Sequence, residues 1–246
     1  MIRIFLLSFY LFPFILFGQV EENAPNPLPI TSEQKPKLAG KGIFGMQVIA
    51  GASYDRINTG VEAVNSKNSN DREDVYLGPG GGFGLEIYGG KQMSRLFRLG
   101  VHAGFQYATG TPEIKDAIIR YRKFYVLPMA SMTLPFNENH SLNFGLGGMA
   151  TFGNSLLIEP PKSVSDPTVE ITYQPNFGVA SHLYYEYRIL EANSFFTGLR
   201  FNWSQITVSD VKIGSRKGVL TPDGEKRYNN KNGGGVTFVM GFNFFF

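Results

Sequence analysis

The stretch that most constrains this chain is its last, residues 233–246. Every second position there is large and apolar: Val236, Phe238, Met240, Phe242, Phe244 and Phe246. The positions between, Gly235, Thr237, Val239, Gly241, Asn243 and Phe245, are mostly small or polar. Successive strand side chains point to opposite faces, so the segment has one greasy face and one mixed face. A soluble sandwich can bury such a face, but it seldom stops on a bare aromatic at the carboxyl terminus.

Six further segments repeat the pattern plainly. Phe44, Met46 and Val48 alternate with Gly45 and Gln47; Phe83, Leu85 and Ile87 alternate with Gly84 and Glu86. Phe97, Leu99, Val101, Ala103 and Phe105 alternate with Arg98, Gly100, His102 and Gly104. Leu142, Phe144 and Leu146 follow suit, as do Phe177 to Tyr187 around His182 and Glu186, and Phe195 to Trp203 around Arg200. The segment 121–136 is irregular, because Pro128 falls on the face of Phe124, Val126, Ala130 and Met132. Proline cannot donate to a ladder and a closed sheet has no free edge, so a bulge is predicted there.

The lengths between strands set the topology. Short joints near 91–95, 137–139 and 190–193 alternate with long ones near 55–79, 109–120, 154–173 and 207–232. That alternation matches outer-membrane barrels, with short periplasmic turns and long external loops. The predicted fold is all-β, an eight-stranded antiparallel up-and-down transmembrane β-barrel over 42–246. Tyr54, Tyr107 and Trp203 mark the external ends of its strands; Tyr185, Tyr187 and Phe246 mark the periplasmic ends.

Composition agrees. The chain is 43% hydrophobic, too polar for helical spans but suited to strands of which alternate residues face lipid. It has no cysteine, which excludes disulfides, thiolate metal sites and cysteine nucleophiles. Residues 1–18 carry Arg3 and then an apolar run from Ile4 to Phe17, too short for the ~20 residues of a spanning helix. They read as a secretory signal cut after Gly18, and loss of Arg3 takes the net charge from +3 to +2. So weak a charge gives no case for nucleic acid. Residues 19–41, with Pro25, Pro27, Pro29 and Pro36, read as an extended periplasmic tether.

On the FGQ end of the signal, the FYVLPM stretch at 124–129 and the terminal GFNFFF, the chain resembles the small outer-membrane β-barrels, and more closely the PorT-like family of the Bacteroidetes. The resemblance implies export to the outer membrane. It implies that Phe242, Phe244 and Phe246 form the signal read by the barrel-assembly machinery. Some relatives serve secretion or gliding machinery.

Strand parity puts Glu86, Arg98, Lys123, Glu186, Arg188 and Arg200 inside the barrel, with His102 and His182. Unpaired charges away from water are costly, so these should pair across strands, Glu86 lying opposite or diagonal to Arg98. A structural plug is the preferred reading; a gated proton or ion path using the two histidines is the alternative. Eight strands leave room only for side chains, which excludes a general diffusion porin. Catalysis is not expected, since Ser181 and His182 point to opposite faces and His140 sits in a turn. The run GPGGGFG at 78–84 lacks the Lys-Ser/Thr and helix of a phosphate loop and reads as a loop-to-strand transition.

Binding is expected in the external loops. Lys212, Arg216, Lys217, Lys226 and Arg227 suit an anionic ligand such as lipopolysaccharide phosphate, and a solvated loop suits them equally. Asp71, Glu73 and Asp74 lack the fixed spacing of a calcium loop. No cofactor or metal is called for. The expected partners are outer-membrane lipid and lipopolysaccharide, the barrel-assembly machinery and other envelope proteins. The reading is a non-enzymatic barrel, structural or adhesin-like. A subunit of a secretion or transport complex and a narrow gated channel are the alternatives.

Overall fold

A computed structural model describes residues 39–64, 72–111, 117–161 and 166–246. The signal and most of the tether lie outside the described residues. Eight strands form the wall: β1 (Gly42–Ser53), β4 (Gly82–Gln92), β5 (Phe97–Thr109), β6 (Ile118–Pro135), β7 (His140–Glu159), β9 (Asn176–Leu190), β10 (Asn193–Ile206) and β14 (Gly235–Phe245). Each pairs antiparallel with the next in chain order, and β14 returns to β1, so the sheet closes. The closing seam is in register from Ser53–Gly235 to Ile43–Phe245. Beyond it, Gly42 and Phe246 exchange both backbone hydrogen bonds, at 2.8 and 3.1 Å.

Burial follows the sequence alternation. Phe44, Met46, Val48, Phe83, Leu85, Phe177, Trp203 and Phe238 stand on the outside, exposed to whatever surrounds the barrel. Their neighbours in sequence turn into the lumen. An outer wall this apolar is unfavourable in water and suits lipid.

The long connections carry structure of their own, between β2 (Ile57–Val64), β3 (Arg72–Leu77), β8 (Val169–Tyr173), β11 (Val208–Ile213), β12 (Arg216–Lys217), α1 (Pro222–Tyr228) and β13 (Lys231–Asn232). Strands β6 and β7 run 18 and 20 residues, well past the ten or so needed to span a bilayer. Their upper halves continue into β8, β11 and β12, and β2 pairs with β3 as a hairpin. The inner face of this extension packs Ile57, Val75, Leu77, Tyr121, Leu156, Ile171, Tyr173 and Ile206 into a second core at the loop end. Four loops were expected; a folded cap is found. Ile57, Val75, Leu77, Leu156, Ile171 and Tyr173 lie in the expected loops, where no strand-length alternation flags them, whereas Tyr121 and Ile206 lie just outside them.

The bulge is displaced from its expected place. Pairs from Phe124–Phe152 to Pro135–Ser141 keep one register, and it shifts between Arg122 and Phe124. The extra residue is on β7, where Gly153 takes φ +63°, a conformation that glycine adopts without strain. At Pro128 the ladder to β7 drops only the pairs Leu127–Met149 and Pro128–Gly148, while the ladder to β5 runs through. The missing N–H removes a bond without moving the register.

Candidate functional site in the lumen

From the short-turn end upward, the lumen is layered. Ile43, Tyr88 and Phe245 form an apolar floor. The Phe245 ring lies between two guanidinium groups, 5.6 Å from Arg98 and 5.7 Å from Arg188. Such contacts contribute about 0.5–2 kcal/mol each. Parity alone places Phe245 inside; its role as a floor emerges only in the closed barrel.

Above the floor lies the first ion cluster. Arg98 donates to Glu186 at 2.7 Å and to Gln92 Oε1 at 2.5 Å. Glu186 also accepts from Asn143 at 2.8 Å, Asn243 at 3.1 Å and Ser194. The second cluster centres on Glu86. Arg200 reaches it through both terminal nitrogens, His102 Nδ1 lies 2.6 Å away, and Tyr125 and Gln47 donate to it. Tyr184 accepts from Arg200 at 2.9 and 3.1 Å.

Glu86 is therefore not the partner of Arg98. The hairpin sets Arg98 opposite Gln92 and Glu86 opposite Gly104, so the two charges lie too far apart along the strands. Each carboxylate instead takes an arginine from three strands round the wall, a partner that only closure supplies. Arg188 and Lys123 enter no ion pair among the described residues. Arg188 is half-buried at the mouth, and Lys123 donates to the Gly233 carbonyl at 3.1 Å.

His182 stacks on Tyr184 at 4.0 Å, and its Nε2 lies 3.4 Å from Ser131 Oγ. This serine–histidine pair was not foreseen, since the two residues meet only across β7. It lacks the acceptor on Nδ1 that would orient a general base, and that atom has no partner. A cavity of ≈ 30 Å³ lies between the clusters, lined by His102, His182, Ser131, Arg98 and Gln47 among others. It has room for one or two waters.

The lumen is not filled by charge alone. Leu127, Met129, Met149, Phe196 and Val239 form an apolar cluster beside the ionic one. Burying apolar side chains costs no unpaired hydrogen bonds, so a narrow interior is filled partly this way.

At the top, two glycine runs fold against each other. Gln106 donates to the carbonyls of Gly80 and Gly81, and Ser53 Oγ accepts from Gly80 and donates to Gly234. A Cβ at Gly80 would overlap the Gly234 carbonyl, so only glycine permits this approach. The glycine run at 78–84 thus packs against Gly234 at the upper end of the polar lumen. Over it sits the cap core, where burial, reinforced by Tyr121 and Tyr228, raises the Tyr173 hydroxyl well above its ordinary range.

The loop cations are divided between two elements. Lys212, Arg216 and Lys217 sit on the β11–β12 hairpin, where Lys212 faces Lys217 on one side and Glu170 on the other. Lys226 and Arg227 lie on α1, which packs at β2. Asp71 lies outside the described residues; Glu73 and Asp74 are consecutive on β3, and Asp74 accepts from Asn58 at 2.8 Å.

These features define a small barrel of the outer-membrane type: eight antiparallel strands, closed, with an apolar outer wall. Among solved structures the chain is similar to the outer membrane protein OprG from Pseudomonas aeruginosa, with a TM-score of 0.51 and 11% identity over 87% of this chain and 98% of that one. Lower scores relate it to the outer membrane protein AlkL (0.42, 11% identity, 91% and 97% covered) and to Ail, the attachment invasion locus protein of Yersinia pestis (0.38, 11%, 85% and 99%). The likeness to OprG concerns the fold, and the two lower scores add nothing to it. No family model and no curated protein matches the sequence.

Proposed function

We propose that the chain is a non-conducting, non-enzymatic barrel of the bacterial outer membrane, exported by its amino-terminal signal, whose folded cap is an adhesin-like contact surface. One observation carries this reading. Among the described residues the interior is filled by paired charges and apolar side chains, and the cavity between the two ion clusters has room for one or two waters. The loop end, in contrast, is built as a platform with its own core. The long connections then face outside and the short turns face the periplasm. Assembly through the terminal aromatics, and contact with lipopolysaccharide, belong to the same reading.

The test is reconstitution of the mature chain in planar bilayers and on a non-adherent cell. The expected outcome is a heat-modifiable barrel with no discrete conductance, and adhesion that disappears when the cap is deleted. Stepwise conductance would establish the narrow channel instead.

The sheet edge at β12 favours a second reading, a PorT-like subunit of a secretion or transport complex of the Bacteroidetes envelope. Among the described residues the two-residue β12 pairs with β11 on one side, which leaves its other edge for another protein's strand. Mild detergent extraction separates the two: a complex subunit brings a stoichiometric partner, and a lone adhesin does not.

A further inference from the structure

We propose that the outward face of β6 carries a phosphate-binding site for a lipid of the outer leaflet, formed by Arg120 and Arg122 above the apolar part of the wall. The proposal rests on the orientation given above, with the loop end outside.

Strand β6 keeps one alternation with β5 along their shared ladder, so its even-numbered residues face outward. Phe124 is outward, with its ring 4.9 Å from Phe105 and stacked at 6.2 Å on Phe152. These three rings lie one outward step below Tyr107, which marks the external end of β5. The next outward residue is Arg122 and the one after it is Arg120. Arg122 is thus level with Tyr107 at the external end of the wall, and with a rise of roughly 3.3 Å per residue and a tilt near 40° Arg120 lies about 5 Å above it. That is the depth of lipid headgroups.

Among the described residues, their surroundings leave both cations available. In register, Arg122 lies between Tyr107 and Ser155, and Arg120 between Thr109 and Leu157, all neutral. Arg122 Nε donates to Ser155 Oγ at 2.9 Å, which fixes the stem and leaves the two terminal nitrogens free to grip an oxyanion. Among the described residues no carboxylate lies within ion-pair distance of either guanidinium. The acids nearest in register are Glu159, opposite Ile118 on the loop side, and Glu170, two strands away. Planar guanidinium groups bind phosphate bidentately, and basic residues at a membrane surface attract anionic lipid.

Below the arginines the outer wall is apolar, with Phe105, Phe124, Val126 and Phe152 side by side on β5, β6 and β7. A phosphate site directly above an apolar, lipid-facing wall matches a phosphorylated lipid rather than a free anion.

The test uses the mature chain in nanodiscs of phosphatidylcholine doped with bisphosphorylated lipid A. Parallel arms contain dephosphorylated lipid A or inorganic phosphate, and retained lipid is quantified by mass spectrometry after detergent exchange. Wild type should retain the phosphorylated lipid, and Arg120→Gln/Arg122→Gln should retain about tenfold less or lower. Arg120→Lys/Arg122→Lys should fall between, and Lys212→Gln/Lys217→Gln should match wild type. Equal retention by the glutamine variant, or of the dephosphorylated lipid, overturns the site. Competition by inorganic phosphate at equal affinity makes it a free-anion site and overturns the lipid assignment. A wild-type chain that fails to insert overturns the membrane reading itself, whereas an inserted barrel without lipid retention overturns only this site. If the glutamine variant does not fold, the lysine variant decides.

Discussion

Arg200 on β10 grips Glu86 on β4 with both terminal nitrogens, at 2.5 and 2.7 Å, although β14 and β1 stand between the two strands. Both side chains are almost wholly buried, so neither can exchange its partner for water. The bond therefore exists only in the closed barrel. It ties together walls that no hairpin joins.

Removing one partner should be far worse than removing both. Arg200→Ala leaves Glu86 buried with uncompensated charge and should destabilise the barrel by about 3–5 kcal/mol. Glu86→Leu/Arg200→Met should recover most of that loss. Urea unfolding in lipid vesicles, arranged as a double-mutant cycle, measures the coupling; strictly additive single effects would contradict the pairing.

The carboxyl terminus has a defined seat. A Cβ on Gly42 would fall 2.5 Å from the Phe246 ring, so Gly42→Leu should displace it. That variant and deletion of Phe246 should both reduce assembled barrel severalfold, scored as the heat-modifiable band in isolated membranes. Normal assembly in both would remove the role given to the terminal aromatic.

Gly153 holds the displaced bulge. Its φ of +63° should make Gly153→Val costly by roughly 1–2 kcal/mol, with Gly153→Asn better tolerated. Chemical denaturation in vesicles distinguishes the two substitutions; equal stability would mean that the bulge relaxes without strain.

The cap should fail separately from the wall. Ile171→Ala opens the centre of the cap core, where the side chain has no exposed surface, and should cost about 2–5 kcal/mol locally. Limited proteolysis should then cut the external segments while the heat-modifiable barrel persists. Loss of the barrel in parallel would show that cap and wall unfold as one unit.

Much of this architecture was legible in the chain itself. Period-two alternation, as in Phe238, Met240 and Phe242, fixed which side chains face out, because a strand has only two faces. Alternating joint lengths fixed the strand order for the same local reason. Parity also turned Glu86, Arg98, His102, His182, Glu186 and Arg200 inward. It did not say which of them meet, because hairpin register relates only adjacent strands, and the arginine for each carboxylate stands three strands away. The cap stayed hidden too: Ile57, Leu77, Ile171 and Ile206 are far apart in sequence, and each is unremarkable alone. Faces are a local property of an extended backbone; partners across a lumen are decided only when the sheet closes.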